Sequence, residues 1–399
     1  MQESNAGFAK SSEAERTQSA PARQGLALAA AITTVSLVGV GLSLTMALLA
    51  VRLAQMGYSA RAIGINPAAG GLATFFIATH VPRLAHMIGL RTLLFVALLT
   101  GVASLTAFAF YENYWVWLFL RGVFGAALTI LFVLSEFWIN VVAPPNRRGL
   151  VLGIYTTSLA AGFAAGPLIL ALTGTDGLPP FLAAVALFAS AALPVLFIGS
   201  QAPELEEQAD ASVISFVVDA PVATCAAIVF GAVETGALGL LPVYALRSAM
   251  NAQTGALLVS LFALGNVIFP IPIGFLSDRL DRRKLLTMIA GAGLVATLLL
   301  PLAAKISFVV FAVLLVIWGG IVGSLYAVGL AHLGERYRGA ELAAANATYI
   351  LLYSVGMLLG PPILGLGLDM APSGLFLAIA LLLIAYLGLA SWRIAKSPS

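Results

Sequence analysis

Twelve apolar stretches, each near the roughly 20 residues that cross a bilayer core as a helix, follow one another along the chain, separated by short polar breaks. Their approximate limits are 26–51, 60–79, 92–110, 114–142, 150–172, 178–198, 220–245, 252–276, 285–304, 307–333, 342–367 and 373–392. Bilayer hydrocarbon offers no water to an open backbone, so each stretch is expected to be helical. The pattern predicts an all-α membrane protein of 12 transmembrane helices. The second stretch is the most interrupted, with Asn66-Pro67 and Gly70-Gly71 inside it. Neighbouring helices can re-satisfy such breaks. Residues 1–24 are polar and read as a disordered cytoplasmic tail without a cleavable signal. Residues 200–218 contain the longest internal polar run, Ser200 to Ser212, and read as a cytoplasmic linker. It divides the chain into two six-helix bundles, 25–199 and 219–399.

Composition supports lipid as the solvent. Hydrophobic residues make up 61% of the 399 and charged residues 9%, against roughly 25% charged in soluble domains. A net charge of +3 does not point to nucleic acid, but the placement of the charges is informative. Fifteen Lys and Arg flank the side that carries the termini, among them Arg83, Arg91, Arg147, Arg148 and the run Arg282-Arg283-Lys284. Only Arg52, Arg61, Arg247 and Lys305 flank the other side. The positive-inside rule then places both termini in the cytoplasm of an inner-membrane protein. The single cysteine, Cys225, and the scattered His80, His86 and His332 offer no disulfide and no metal cage. No phosphate-binding Gly-Lys-Ser/Thr loop and no nucleophile–base constellation is present, so neither an ATP-driven pump nor an enzyme is expected, and no cofactor.

The two halves repeat. Gly162-Phe-Ala-Ala-Gly166-Pro167 recurs as Gly356-Met-Leu-Leu-Gly360-Pro361, at an offset of 194. Arg148-Gly149 recurs as Arg338-Gly339 at 190, and the loop Pro82–Thr92 matches Gly274–Lys284 at 192. Internal repeats of this kind build secondary transporters, with the solute site near the midplane where the repeats meet. Glycines at i and i+4 give a flat strip for close helix approach, and the proline that follows permits a bend.

These residues resemble the major facilitator superfamily. Gly274-Phe-Leu-Ser-Asp278-Arg279-Leu-Asp281-Arg282-Arg283-Lys284 is similar to that family's signature loop, with Asp281 where the family usually has Gly. The first-half copy is worn and keeps only Gly89 and Arg91. Gly274 is expected to permit close helix packing. Asp278 is expected to accept hydrogen bonds from a helix N-terminus. Arg279, Arg282 and Arg283 are expected to pair with carboxylates on a neighbouring helix and hold the cytoplasmic side shut. The paired Gly-x-x-x-Gly-Pro segments resemble the family's antiporter motif in the fifth helix. Arg121-Gly-Val-Phe-Gly125 resembles the fourth-helix motif whose arginine serves proton transfer. The runs Glu136-Phe-Trp138-Ile-Asn140 and Leu241-Pro242-Val-Tyr244 are similar to the YcaD-like bacterial permeases. The resemblance covers residues 25 to 392.

Ionisable residues inside a membrane span mark function. Glu234 sits ~16 Å below the outer end of its span and Arg121 ~10 Å, at 1.5 Å per residue. The resemblance places both spans on the central cavity, which would let the two side chains face each other across the halves. Burial and a nearby cation pull a carboxylate's proton affinity in opposite directions, so Glu234 is the expected proton carrier. Glu136, near the inner end of the fourth span, is expected to pair with loop arginines such as Arg91. Tyr326 holds the equivalent place in the tenth span, and Asn266 is a candidate cavity residue. The implied function is secondary transport of a small organic solute by alternating access, through proton-coupled efflux by a monomer. Proton symport or facilitated uptake, and a transporter-like sensor or assembly protein that moves nothing, are the alternatives.

Overall fold

The computed structural model describes residues 2–144, 148–197 and 213–396. The first half comprises α1 (Gln2–Gln55), α2 (Ala60–Ile77), α3 (Val81–Ile88), α4 (Leu90–Phe110), α5 (Tyr114–Val142), α6 (Arg148–Thr173), α7 (Pro179–Ser190) and α8 (Ala192–Phe197). The second comprises α9 (Val213–Asp219), α10 (Pro221–Arg247), α11 (Ala252–Ile268), α12 (Pro270–Ser277), α13 (Arg282–Ile306), α14 (Phe308–Arg336), α15 (Gly339–Met370) and α16 (Gly374–Lys396). Ten helical spans among the described residues are long and apolar enough to cross a membrane. Helices α2 and α3 qualify only together, bent by 65° at their junction, and Pro179–Val195 is a shorter apolar helix. Each of the twelve apolar stretches therefore has its helical counterpart.

Three boundaries differ from the sequence expectation. The backbone of residues 2–24, expected as a disordered tail, is helical and continuous with α1; its Ala, Glu, Gln, Lys and Arg favour helix intrinsically. Residues 213–218, assigned to the linker, belong to α9, while Ser200 to Ser212 lie outside the described residues. The loop Pro82–Thr92 is largely the short helix α3, followed by Gly89 at φ +86° and then directly by α4.

The repeat extends into capping and packing. Ser59 and Asn251 cap α2 and α11, and Asn113 and Ser307 cap α5 and α14. Each side-chain oxygen accepts from the first-turn N–H groups that a helix cannot satisfy by itself. The glycine strips seat α6 on α1 and α15 on α10. A Cβ at Gly162 would meet the Ser36 carbonyl and one at Gly166 the Val40 carbonyl; Gly356 and Gly360 stand equally close to Ile228 and Ala232. Both helices run unbroken through Pro167 and Pro361. The α2–α5 and α11–α14 seams match in the same way, at Gly70 against Gly125 and at Phe262 against Gly319.

Helices α1 and α10 are the central pair, with 83% and 89% of their apolar windows buried. Across the halves α2 lies on α15. Gly64 abuts the Pro361 backbone, Gly71 abuts Leu358 and Gly365 abuts Ala60. All buried residues of α2 fall between Ala60 and Gly71. Beyond that point Leu72, Phe76 and Thr79 are exposed. On α1 an exposed or half-exposed face made by Thr33, Ser36, Leu37 and Val40 gives way to unbroken burial from Ser43 to Val51. The halves thus meet closely at the end carrying Ala60, while these faces of α1 and α2 are exposed toward the end carrying Arg282.

Candidate functional site

Glu234 lies halfway along α10 and is partly exposed. Its Oε2 accepts a 2.6 Å hydrogen bond from the Tyr353 hydroxyl of α15. The Tyr353 and Tyr326 rings lie 5.7 Å apart, and Phe230, one turn from Glu234, lies 5.9 Å and 5.4 Å from them. Tyr349 extends the wall at 5.1 Å from Tyr326, its own hydroxyl donating to the Tyr326 carbonyl. Glu136 of α5 is exposed. No cation pairs with Glu234 among the described residues.

The expected Arg121–Glu234 pair is not made. Arg121 is 4% exposed and lines a small cavity with Met46, Ala50, Asn66, Pro67 and Gly239. Gly239 lies five residues beyond Glu234 on α10, an axial step of ~7.5 Å. The register of the halves, invisible to depths counted within one span, sets the two charges at different levels. Arg121 Nε and Nη1, with Asn66 Nδ2, are buried without a protein partner among the described residues, and the guanidinium carbon lies 5.8 Å from the Phe124 ring centre. The cavity holds about 10 Å³, close to the space of one water. Arg121 thus sits within the sealed part of the interface.

Asn266 is drawn into a seam as well. A Cβ at Gly323 of α14 would run into its side chain, and its Oδ1 is buried without a partner among the described residues. It packs α11 on α14, one turn from Tyr326 along α14. Trp318 likewise packs, donating to Thr297 at 2.7 Å. Ser36 and Thr45 bond carbonyls of their own helix, and Thr34 bonds the Ala191 carbonyl.

The signature turn is tight. Asp278 ends α12, and Asp281 begins α13, its side chain accepting from the Lys284 N–H at 3.0 Å. The helix N-terminus is therefore capped by Asp281, the position that departs from the family pattern, and not by Asp278. Asp278 instead faces Arg282 at 3.6 Å. The equivalent first-half position is Gly89, so one half turns with a left-handed glycine and the other with a capping carboxylate. Arg282 also bonds Glu335 at 3.0 Å and the Ala331 carbonyl at 3.1 Å, both on α14. The expected carboxylate partner exists, but it belongs to the same half, so in this conformation the pair braces that half. Arg279 is exposed; Arg283 is half-buried, and Arg91 rests over the Phe95 ring at 5.9 Å.

Gly274 does not support close packing, because a Cβ there would meet nothing within 4 Å. Gly274→Ala is expected to leave thermal stability within about 0.5 kcal/mol of the parent. A large loss in a melting experiment on the detergent-solubilised protein would contradict the open surroundings.

At the closed end sits a carboxylate that the sequence did not mark. Asp369 of α15 accepts from the Ala60 and Arg61 N–H groups of α2, both at 2.8 Å, and pairs with Arg247 of α10 at 2.6 Å. Arg247 also donates to the Leu368 carbonyl. One side chain of the second half thus caps a helix of the first. Asp369 was missed because a carboxylate at a span end reads as a loop residue, and Tyr353 because an uncharged phenol gives no intramembrane charge signal. An acid on the side poorest in basic residues, which it shares with Glu112 and Asp176, was the available clue.

The family model described as Major Facilitator Superfamily matches residues 26–319 and 223–399. The uncharacterized MFS-type transporter YfkF of Bacillus subtilis is 30% identical over 269 residues, covering 65% of this chain and 68% of the relative. The uncharacterized MFS-type transporter YcaD of Escherichia fergusonii is 23% identical over 280 residues, covering 70% and 72%. Among solved structures, the nucleoside transporter NupG superposes with a TM-score of 0.71 at 15% identity, over 94% of this chain and 100% of that one. A bacterial homolog of the human lysosomal transporter Spinster, inward-facing and unoccupied, gives 0.70 at 14% identity over 94% and 99%. The two repeated six-helix halves, their matched glycine seams and the extent of these matches show that the chain belongs to the major facilitator superfamily of membrane transporters.

Proposed function

We propose that this transporter exports a small organic solute across the inner membrane in exchange for protons, by alternating access, with Glu234 as the proton carrier. The observation that carries this reading is the Glu234–Tyr353 hydrogen bond, with no cation paired to the carboxylate among the described residues. A phenol is neutral, so the negative charge is left to be balanced by a proton or by a cationic solute. Beside it are Tyr353 on α15, which donates to it, and the Phe230 and Tyr326 rings packed on Tyr353; Arg121 lies in the separate cavity beside Gly239. The charge asymmetry of the loops supports the Arg282 end as cytoplasmic. The present conformation is then open to the cytoplasm and sealed toward the outside by Asp369. The likeness to an inward-facing solved structure is consistent with this.

The test is a solute panel with purified protein in proteoliposomes under an imposed pH gradient. Solute movement opposite to a stoichiometric proton flux, abolished by a protonophore, is the expected result. Co-directional movement would replace antiport by symport, and absence of flux for every solute would favour a sensor.

A further inference from the structure

We infer that the solute is an organic cation, bound with its positive centre against the Phe230–Tyr326–Tyr353 wall and its charge balanced by Glu234. This deepens the proton-carrier reading of the same residue and rests on it for coupling.

Three aromatic rings with centres 5.4 to 5.9 Å apart crowd beside one carboxylate. Ring faces attract cations through their quadrupoles, and such walls recognise quaternary ammonium groups that have no proton to donate. Of the three, Tyr326 and Tyr353 are partly exposed, as is Glu234, while Phe230 backs them from the buried side. An anionic solute would meet the Glu234 carboxylate here. The buried cation of the transport pathway, Arg121, is confined to a cavity the size of one water and is not available to greet it.

The charge balance gives the exchange its logic. Glu234 can neutralise either one proton or one organic cation, so each must leave before the other binds. The same hydroxyl of Tyr353 can donate to the carboxylate in the cation-bound state. No covalent step is involved.

The experiment uses the full-length protein in nanodiscs with tetramethylammonium, tetraethylammonium and tetraphenylphosphonium as cations. Tetraphenylborate serves as the anion of matching shape. Binding is followed by calorimetry, and released protons by a pH dye in weak buffer. At least one cation is expected to bind and tetraphenylborate at least about tenfold more weakly. Glu234→Gln is expected to weaken cation binding about tenfold or more, Tyr326→Leu several-fold, and Tyr326→Phe to retain most of it because the ring face remains. Melting temperatures of the variants show whether they are folded, and the Tyr326 pair keeps the test alive if Glu234→Gln is not. Cation binding accompanied by proton release supports both the cation site and the proton carrier. Cation binding lost in Glu234→Gln, with no proton released by the parent, supports the cation site and removes the proton-carrier reading. Failure of all three cations to bind, equal binding of tetraphenylborate, or unchanged cation binding in Glu234→Gln overturns the inference; a pH-gradient-driven flux surviving those results would leave the proton carrier standing.

Discussion

In proteoliposomes, Glu234→Gln is expected to reduce pH-gradient-driven solute flux to the level of protein-free vesicles. The amide has the shape of the carboxyl and can still accept the Tyr353 hydroxyl hydrogen bond through its oxygen, so α10 and α15 should stay seated through Gly356 and Gly360. What the variant loses is the ability to exchange a proton, and with it the ability to alternate between two charge states as the cavity changes sides. Tyr353→Phe is the companion. It removes the hydroxyl donor but leaves the acid, so gradient-driven flux should persist at a reduced rate. Fluorescence of the tryptophans, with Trp117 and Trp318 fully buried, reports whether either variant is misfolded. Undiminished gradient-driven flux in Glu234→Gln would rule the residue out as the coupling acid and move attention to Glu136.

The second large effect concerns the closed end. Asp369 accepts two backbone N–H groups from α2 and a guanidinium from α10, joining three helices and both halves. Hydrogen bonds to charged groups contribute about 1.5–3 kcal/mol each when buried. This cluster is partly exposed, which reduces the effect. Asp369→Ala removes all three bonds and should cost the sealed state about 2 kcal/mol, shifting the balance between sealed and open states about 30-fold. Asp369→Asn keeps one acceptor oxygen for the α2 N-terminus and should fall between. Arg247→Gln should shift the balance least, because the capping bonds survive. The measurement is labelling of a cysteine placed at Ala68, a buried position of α2 within the sealed part, in a Cys225→Ser background. A membrane-impermeant maleimide added from the outside should react faster in the order Ala, Asn, parent. Identical rates in all three would show that the glycine-to-backbone seam between α2 and α15 alone holds the end shut.

The fold was legible because it depends on a quantity each residue carries by itself. A span needs about 20 apolar residues, and membrane helices satisfy their own backbone, so the twelve stretches map onto helices without knowledge of neighbours. The repeat was equally visible, and the structure extends it to the caps Ser59, Asn251, Asn113 and Ser307. The site was legible only as a set of candidates. Glu234 and Tyr326 were picked out and are linked through Tyr353, while Glu136 is exposed on α5. Arg121 was paired with Glu234 from depths counted along separate helices, and a difference of five residues in register was enough to part them. Asn266 looked like a cavity residue because it is polar, yet a glycine opposite, Gly323, draws it into a seam. Asp278 was given the capping role that its neighbour Asp281 performs, since which of two nearby carboxylates meets the first free N–H depends on where α13 begins.

The amino-acid sequence by itself determined that this chain lives in lipid, crosses it as two repeated six-helix halves, and keeps very few charges inside. Those properties follow from local hydropathy and spacing. Only the tertiary structure decided which charges find partners, that Tyr353 and not Arg121 holds Glu234, and that Asp369 closes one end. Those outcomes rest on how helices from the two halves slide and rotate against each other, and a shift of a single turn, about 5.4 Å, is enough to exchange one partner for another.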